Sequence, residues 1–266
     1  MCKLLIVLLV LFASCHSPFV LRTSTPSSNS ISGSQFYKSV ASISRDDREA
    51  LAVKEILSGN IPSFIKRMVK INTSIIDSSG KTIKAYYYAM PDYLSIGSDD
   101  DFARIPLTPI SAQKIADSLN CFLPTRKIVN DIYKQAVVKL EPMPMYAFRD
   151  SAPTFYHHHL IIEGQRKGKK GLIAGIKKDV VISDKLTRDT KKNRVAIYGW
   201  YKPDGKPIQP LYTGHVDWYV DYSHGIRLIH RTIWVEGKAM DYIDVMKDKV
   251  LKRLLCDEDA CDVYRY

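Results

Sequence analysis

The sequence predicts an α+β protein: a helical and hairpin-forming N-terminal part, then a mostly antiparallel β-rich part with a closing C-terminal helix. Three observations carry this. Apolar residues recur at helical spacing in Leu51, Val53, Ile56 and Leu57, and again in Ile128, Val129, Ile132 and Tyr133. Two strand-forming runs, 69–76 and 82–89, flank the turn Asp77-Ser78-Ser79-Gly80, which is a hairpin pattern. After residue 145 runs of β-branched and aromatic residues dominate. With 266 residues, 45% of them hydrophobic, the chain can bury a core as one large domain or two small ones.

The chain opens with a short positive stretch, 1–3, and an apolar run, 4–12, followed by small Ala13 and Ser14 and then Cys15. That is a signal-peptide layout, since the run is too short to cross a bilayer. The segment 11–15 resembles a bacterial lipobox, which implies lipidation of Cys15; an ordinary secretory signal is the alternative. Segment 16–20, HSPFV, lacks the acidic pair associated with surface export, which predicts an anchor facing the periplasm. Residues 16–43 read as a flexible tether because 23–35 is Ser/Thr-rich.

The body follows. Ser44 and the acidic 46–47 open a helix that ends at Gly59, and a short helix starts at Pro62. Asp99, Asp100 and Asp101 are contiguous rather than alternating, so they read as an acidic turn capping local backbone, not a calcium loop. Pro109 and Thr125 announce two further helices. Segment 141–145, EPMPM, is a linker candidate, dividing the body into 44–145 and 146–266. Strands are expected at 172–174, 179–183, 194–201 and within 214–235, and a basic amphipathic helix over 239–255.

Potential chemistry concentrates in 214–235, GHVDWYVDYSHGIRLIHRTIWV. Period-two alternation puts His215, Asp217, Tyr219, Asp221 and Ser223 on one face, and Val216, Trp218, Val220 and Tyr222 on the core face. His224 is expected to act as general base or metal ligand, with His215 and Asp217 as an orienting pair or as two ligands of a zinc site. A third ligand would come from His224 or from His157, His158 and His159. On a helix His159 and Glu163 would share a face. Adjacent residues of a strand point oppositely, so Ser223 cannot use His224 directly as its base. Arg227 has the planar fork that suits a substrate carboxylate. Cys256 and Cys261 are spaced for a disulfide in an oxidising compartment, and Cys121 reads as a buried thiol.

Segment 223–228, SHGIRL, resembles the SHGC-[IV]-R-[LM] signature of L,D-transpeptidases, which remodel peptidoglycan through a cysteine nucleophile. The cysteine expected between Gly225 and Ile226 is absent. The resemblance therefore implies an envelope role with different chemistry. IKKDVVIS, IYGWYKPDGKPIQPLYTGH and VDYSHGIRL are similar to a group of secreted bacterial envelope lipoproteins of Bacteroidota type, a resemblance that supplies no activity.

The formal charge of +11 favours anionic partners. Basic clusters at 166–170, 177–178 and 191–194 come without a nucleic-acid motif and at an exported address; they read as solvated loops, with an anionic envelope polymer such as peptidoglycan as the functional alternative. Tyr198, Trp200, Tyr201, Tyr212, Trp218 and Tyr219 are candidates for stacking on sugars, with core packing as the alternative. The expectation is a hydrolase or processing enzyme of the cell envelope; the alternative is a glycan-binding, peptide-binding or structural lipoprotein.

Overall fold

The structure is a computed structural model describing residues 19–188 and 190–266. The leader and Cys15 lie outside the described residues. In chain order the elements are β1 (Phe19–Val20), α1 (Gly33–Ser39), α2 (Arg45–Leu57), α3 (Ser63–Lys66), β2 (Arg67–Ile76), β3 (Thr82–Ala89), β4 (Ser95–Gly97), β5 (Phe102–Arg104), α4 (Pro109–Ser118), β6 (Cys121–Phe122), α5 (Arg126–Gln135) and β7 (Val138–Lys139). There follow α6 (Ala152–Arg166), β8 (Ile173–Ala174), β9 (Lys178–Val181), α7 (Lys185–Arg188), β10 (Arg194–Tyr201), β11 (Pro207–Val216), β12 (His224–Gly225), β13 (Ile229–His230), β14 (Thr232–Val235), β15 (Lys238–Asp241) and α8 (Tyr242–Lys247). The α+β class holds, with 30% helix and 27% strand.

The helices begin where their caps are. Ser44 accepts from the Asp47 amide, Thr108 from Ser111 and Thr125 from Ile128. The acidic turn is a double cap: Asp101 accepts from the Ser34 amide at 2.9 Å and Asp99 from the Phe64 amide at 3.2 Å. The β2–β3 hairpin pairs Val69 with Ala89 through to Ile76 with Thr82. Asp77 closes its turn by accepting from Ser79 and Lys81.

Two larger sheets carry most strands, and β4–β5 and β7–β8 form two-stranded pairs. The larger is ordered β1-β2-β3-β13-β6, with β14 also on β3 and β15 on β14. The smaller runs β11-β10-β9-β12, and its β9–β12 pair is parallel. The larger sheet therefore joins strands from both sides of residue 145. One hydrophobic cluster likewise runs from Leu21 to Cys261. The division at 145 does not separate two cores; segment 141–145 is a connection within one fold.

Two further expectations give way. Residues 19–43 are not a tether but pack on the body. Phe19 pairs with Met68, and Leu21, Phe36, Tyr37 and Val40 are buried. The serines misled because Ser32 serves in a capping box for α1. Gly33 lets that helix end press on β5, where a Cβ would meet the Ala103 nitrogen at 2.3 Å. The C-terminal helix is also much shorter than 239–255. A turn at Glu236–Gly237 folds β15 back onto β14, and Asp241 then caps α8 at the Ile243 amide. The helix ends at Lys247, and Leu251–Leu254 form a separate 3-10 turn started by Asp248. Beyond it Cys256 and Cys261 form a disulfide. No helix among the described residues is long and apolar enough to cross a membrane.

Candidate functional site

Four segments meet around β12. The parallel β9–β12 pairing sets His224 against Lys178 and Gly225 against Asp179, and the Lys178 amide donates to the Ser223 carbonyl at 2.8 Å. From β10, the Trp200 amide donates to the Lys177 carbonyl at 3.0 Å. From α6, His158 Nδ1 lies 3.1 Å from Lys177 Nζ. The loop before α6 brings Arg149 to Asp221 at 2.7 Å. Trp200 holds φ at +57°, a conformation bulky residues rarely adopt and one that costs free energy.

Asp221 is the electrostatic hub, with no solvent exposure. It accepts from Arg149, from the Ser223 amide at 2.9 Å, from Ser223 Oγ at 2.5 Å and from Tyr219 OH at 3.3 Å. Burial alone would raise its pKa. His224, the two Ser223 donors and Lys178 outweigh burial and bring it down to about 2.

His224 sits beside this carboxylate and is 1% exposed, yet neither ring nitrogen has a hydrogen-bond partner among the described residues. Buried polar atoms are nearly always paired, so two orphaned nitrogens on one ring indicate a place for something else. Burial, more than the neighbouring lysines, lowers its pKa to about 4. Its ring centroid is 6.3 Å from His215 and 6.0 Å from Tyr219, and those two are 4.8 Å apart. Both are half-buried. Burial also lowers the His215 pKa and lifts Tyr219 to about 12. At neutral pH the site thus offers two neutral imidazoles, a protonated phenol and a carboxylate. Lys177 lies behind them, fully buried, donating to the Tyr222 carbonyl, its pKa lowered by burial to about 7. Trp200 Nε1 is a further unpartnered atom of this region.

Of the expected site, His215, Tyr219, Asp221, Ser223 and His224 come together, but not by alternation along a strand. Strand β11 ends at Val216, and the Tyr219 amide donates back to the Val216 carbonyl in a turn. That turn carries Asp217 away from His215, so the expected orienting pair does not form. Asp217 instead lines a groove with Arg45 and Trp218. Trp218 leaves the expected core face and is 55% exposed, while Val220 and Tyr222 are buried as expected. Ser223 Oγ is engaged with Asp221, not with a base.

Arg227 is not placed to hold a substrate. Its guanidinium is buried and donates to the carbonyls of Met90 and Ile173 at 2.7 and 2.6 Å. It also lies 4.4 Å over Tyr93. The strand-rich composition around Arg227 hides this framework role.

Among the described residues no three His, Cys, Asp or Glu side chains are grouped to hold a metal ion. The histidine triplet is split by α6: His157 is exposed, His158 meets Lys177, and His159 with Glu163 meets Arg104. Cys121 is a buried thiol whose pKa burial pushes up. Of the basic clusters, Lys177 and Lys178 are buried, while in 166–170 Arg166 pairs with Glu163 and 167–170 is exposed.

Sequence reasoning missed Arg149, and it named His158 only as a possible metal ligand and Lys177 and Lys178 only as a basic cluster. Comparison with protein-family models, curated proteins and solved structures found no match for this chain.

Proposed function

We propose that this protein is an exported, lipid-anchored enzyme of the bacterial envelope that hydrolyses peptidoglycan or a related wall polymer from a periplasm-facing position. The observation that carries the catalytic part is His224, buried against a carboxylate with both ring nitrogens unpaired. The leader reading and the charge of +11 support the address and the polymer.

In this reading neutral His224 is the base, and as imidazolium it returns the proton to the leaving group. His215, half-buried, is the group a substrate meets first. His224 accepts the proton taken from the attacking water, and Asp221 stabilises the resulting imidazolium, as a carboxylate beside a base does in hydrolases generally. Tyr219 stays protonated and can donate to an oxygen that gains negative charge, while the Lys178 ammonium adds its field. Water is the nucleophile, because Ser223 Oγ is held by Asp221 and the transpeptidase thiol is absent. Ser223 and Arg149 position Asp221.

Purified sacculi incubated with the full-length protein should release new fragments, identified by mass spectrometry. His224→Ala should abolish their release, and a chelator arm separates metal-assisted from metal-free hydrolysis. Sacculi left intact by the wild type would overturn the catalytic reading.

A further inference from the structure

Three of the four exposed aromatics among the described residues are grouped. Trp218 stands on the turn after β11, and Tyr146 and Phe148, 90% and 81% exposed, stand on the loop before α6. Helix α2 holds the two places side by side. Arg45 lies 4.9 Å from the Trp218 ring centroid, and Arg48 donates to the Asp150 carbonyl at 3.1 Å. Residues three apart on a helix are neighbours, so the indole and the loop flank the same helix face.

The loop also touches the candidate site. Arg149 pairs with Asp221, the Met145 amide donates to Tyr222 OH at 2.7 Å, and the Tyr222 amide donates to the Arg149 carbonyl at 2.9 Å. Between these ties Phe148 adopts φ of +48°. An apolar ring in water on unfavourable backbone has no packing reason to be there, which points to a ligand contact.

The groove beside Trp218, about 420 Å³, says what kind of ligand. Its walls carry Arg45, Asp46, Glu49, Lys114 and Asp217 around the indole. Two cations and three carboxylates make a poor seat for a polyanion, and so many charges a poor seat for an acyl chain. A flat π face ringed by donors and acceptors matches a neutral ring rich in hydroxyl and amide groups, and the volume is that of a small-ligand site.

We propose that Trp218 and the Tyr146–Phe148 loop form a stacking track for a neutral glycan of N-acetylated sugars, which leads the strand to the His215–His224 site. The track rests on the wall-polymer reading for the identity of the sugars, but binding does not require catalysis.

Isothermal titration of the full-length protein with the N-acetylglucosamine tetramer tests it. The tetramer should bind. Trp218→Ala should weaken it about tenfold, the scale of one lost ring contact. The double variant Tyr146→Ser, Phe148→Ser should weaken it several-fold, and Lys238→Ala, at an exposed position of β15, should leave it unchanged. No binding, or binding indifferent to Trp218→Ala, overturns the track. So does a tetramer that fails to bind while phosphatidylglycerol vesicles float the protein through Tyr146 and Phe148, since the loop then belongs to a membrane surface. Sacculi cut in a His224-dependent way without tetramer binding sink the track alone; tetramer binding without cutting sinks the catalytic reading alone.

Discussion

Two buried polar clusters in this molecule are built from the same kinds of residue and differ in how completely they are paired. Around Arg104, every charge has an ion-pair partner, and Glu163 Oε1 alone makes no aligned hydrogen bond. The guanidinium meets Asp92 at 2.5 and 3.0 Å, Glu163 at 2.8 Å and His159 Nδ1 at 3.2 Å. Asp92 also accepts from the Tyr93 amide at 2.7 Å. Burial would raise the Asp92 pKa, but Arg104 outweighs it and keeps the carboxylate charged. Around Asp221, by contrast, the carboxylate is saturated while His224 holds two unpaired ring nitrogens. A saturated cluster stabilises and orients; an unsaturated one forgoes stability at a place kept ready for a ligand. Strained backbone at Trp200 and Phe148 borders the second cluster.

The largest effect should come from breaking the saturated cluster. Arg104→Ala leaves Asp92 buried without its cation and should cost about 3–5 kcal/mol, read from the denaturation midpoint. His224→Leu should behave oppositely. It removes two orphaned nitrogens, so the midpoint should hold or rise, while hydrolysis of sacculi falls about a hundredfold to ten-thousandfold. A His224→Leu protein as destabilised as Arg104→Ala would erase the distinction between the clusters.

Much of this contrast was hidden in the sequence. The α+β class, the caps and the β2–β3 hairpin are local, and local signals placed them. His224, Asp221, His215 and Tyr219 were legible because they crowd one strand-like segment. Their arrangement was not, since the turn at Asp217–Trp218 interrupts the alternation. Lys177, His158 and Arg149 reach the site by tertiary packing from three other segments, and no spacing rule reports that. Arg104 passed unnoticed because its partners lie 12 and 59 residues away. Arg227 was read as a clamp for substrate because the sequence cannot show two backbone carbonyls waiting for it.

Acid should weaken both clusters through their histidines. Burial is the largest cause in each case, holding His224 at about 4, His159 at about 3 and His158 at about 2. The unfolded value is 6.5, so the unfolded chain binds more protons between 6.5 and those values. The histidines' contribution to stability is therefore full above pH 6.5 and lost as pH falls toward 4 and below, and Asp179, which burial raises to about 7, offsets only part of it. Urea midpoints at pH 7.5, 6 and 5 should decline in that order, and less steeply in His224→Leu. A wild-type midpoint constant over that range would mean the histidines charge in the folded state at no cost.

The disulfide lies outside both clusters and gauges what ordinary framework contributes. It closes a short loop, with the two Cα atoms 6.1 Å apart. Replacing Cys256 and Cys261 with serine should cost about 2 kcal/mol by loop-closure entropy. Hydrolysis of sacculi, measured below the lowered melting temperature, should not change.

Phe148→Gly should have the smallest effect, and its sign is informative. Glycine adopts positive φ without the steric penalty that phenylalanine meets. The ring is largely in water, so little packing is lost. The folded backbone is relieved, but the unfolded chain gains freedom, and the two effects oppose each other at about 1 kcal/mol each. The melting temperature should therefore stay within a few degrees of wild type, while processing of sacculi declines because the ring that contacts the glycan is gone. A clear loss of stability would show that Phe148 belongs to the framework. A strained, exposed ring whose removal harms function and spares the fold is what the unsaturated side of the molecule should contain.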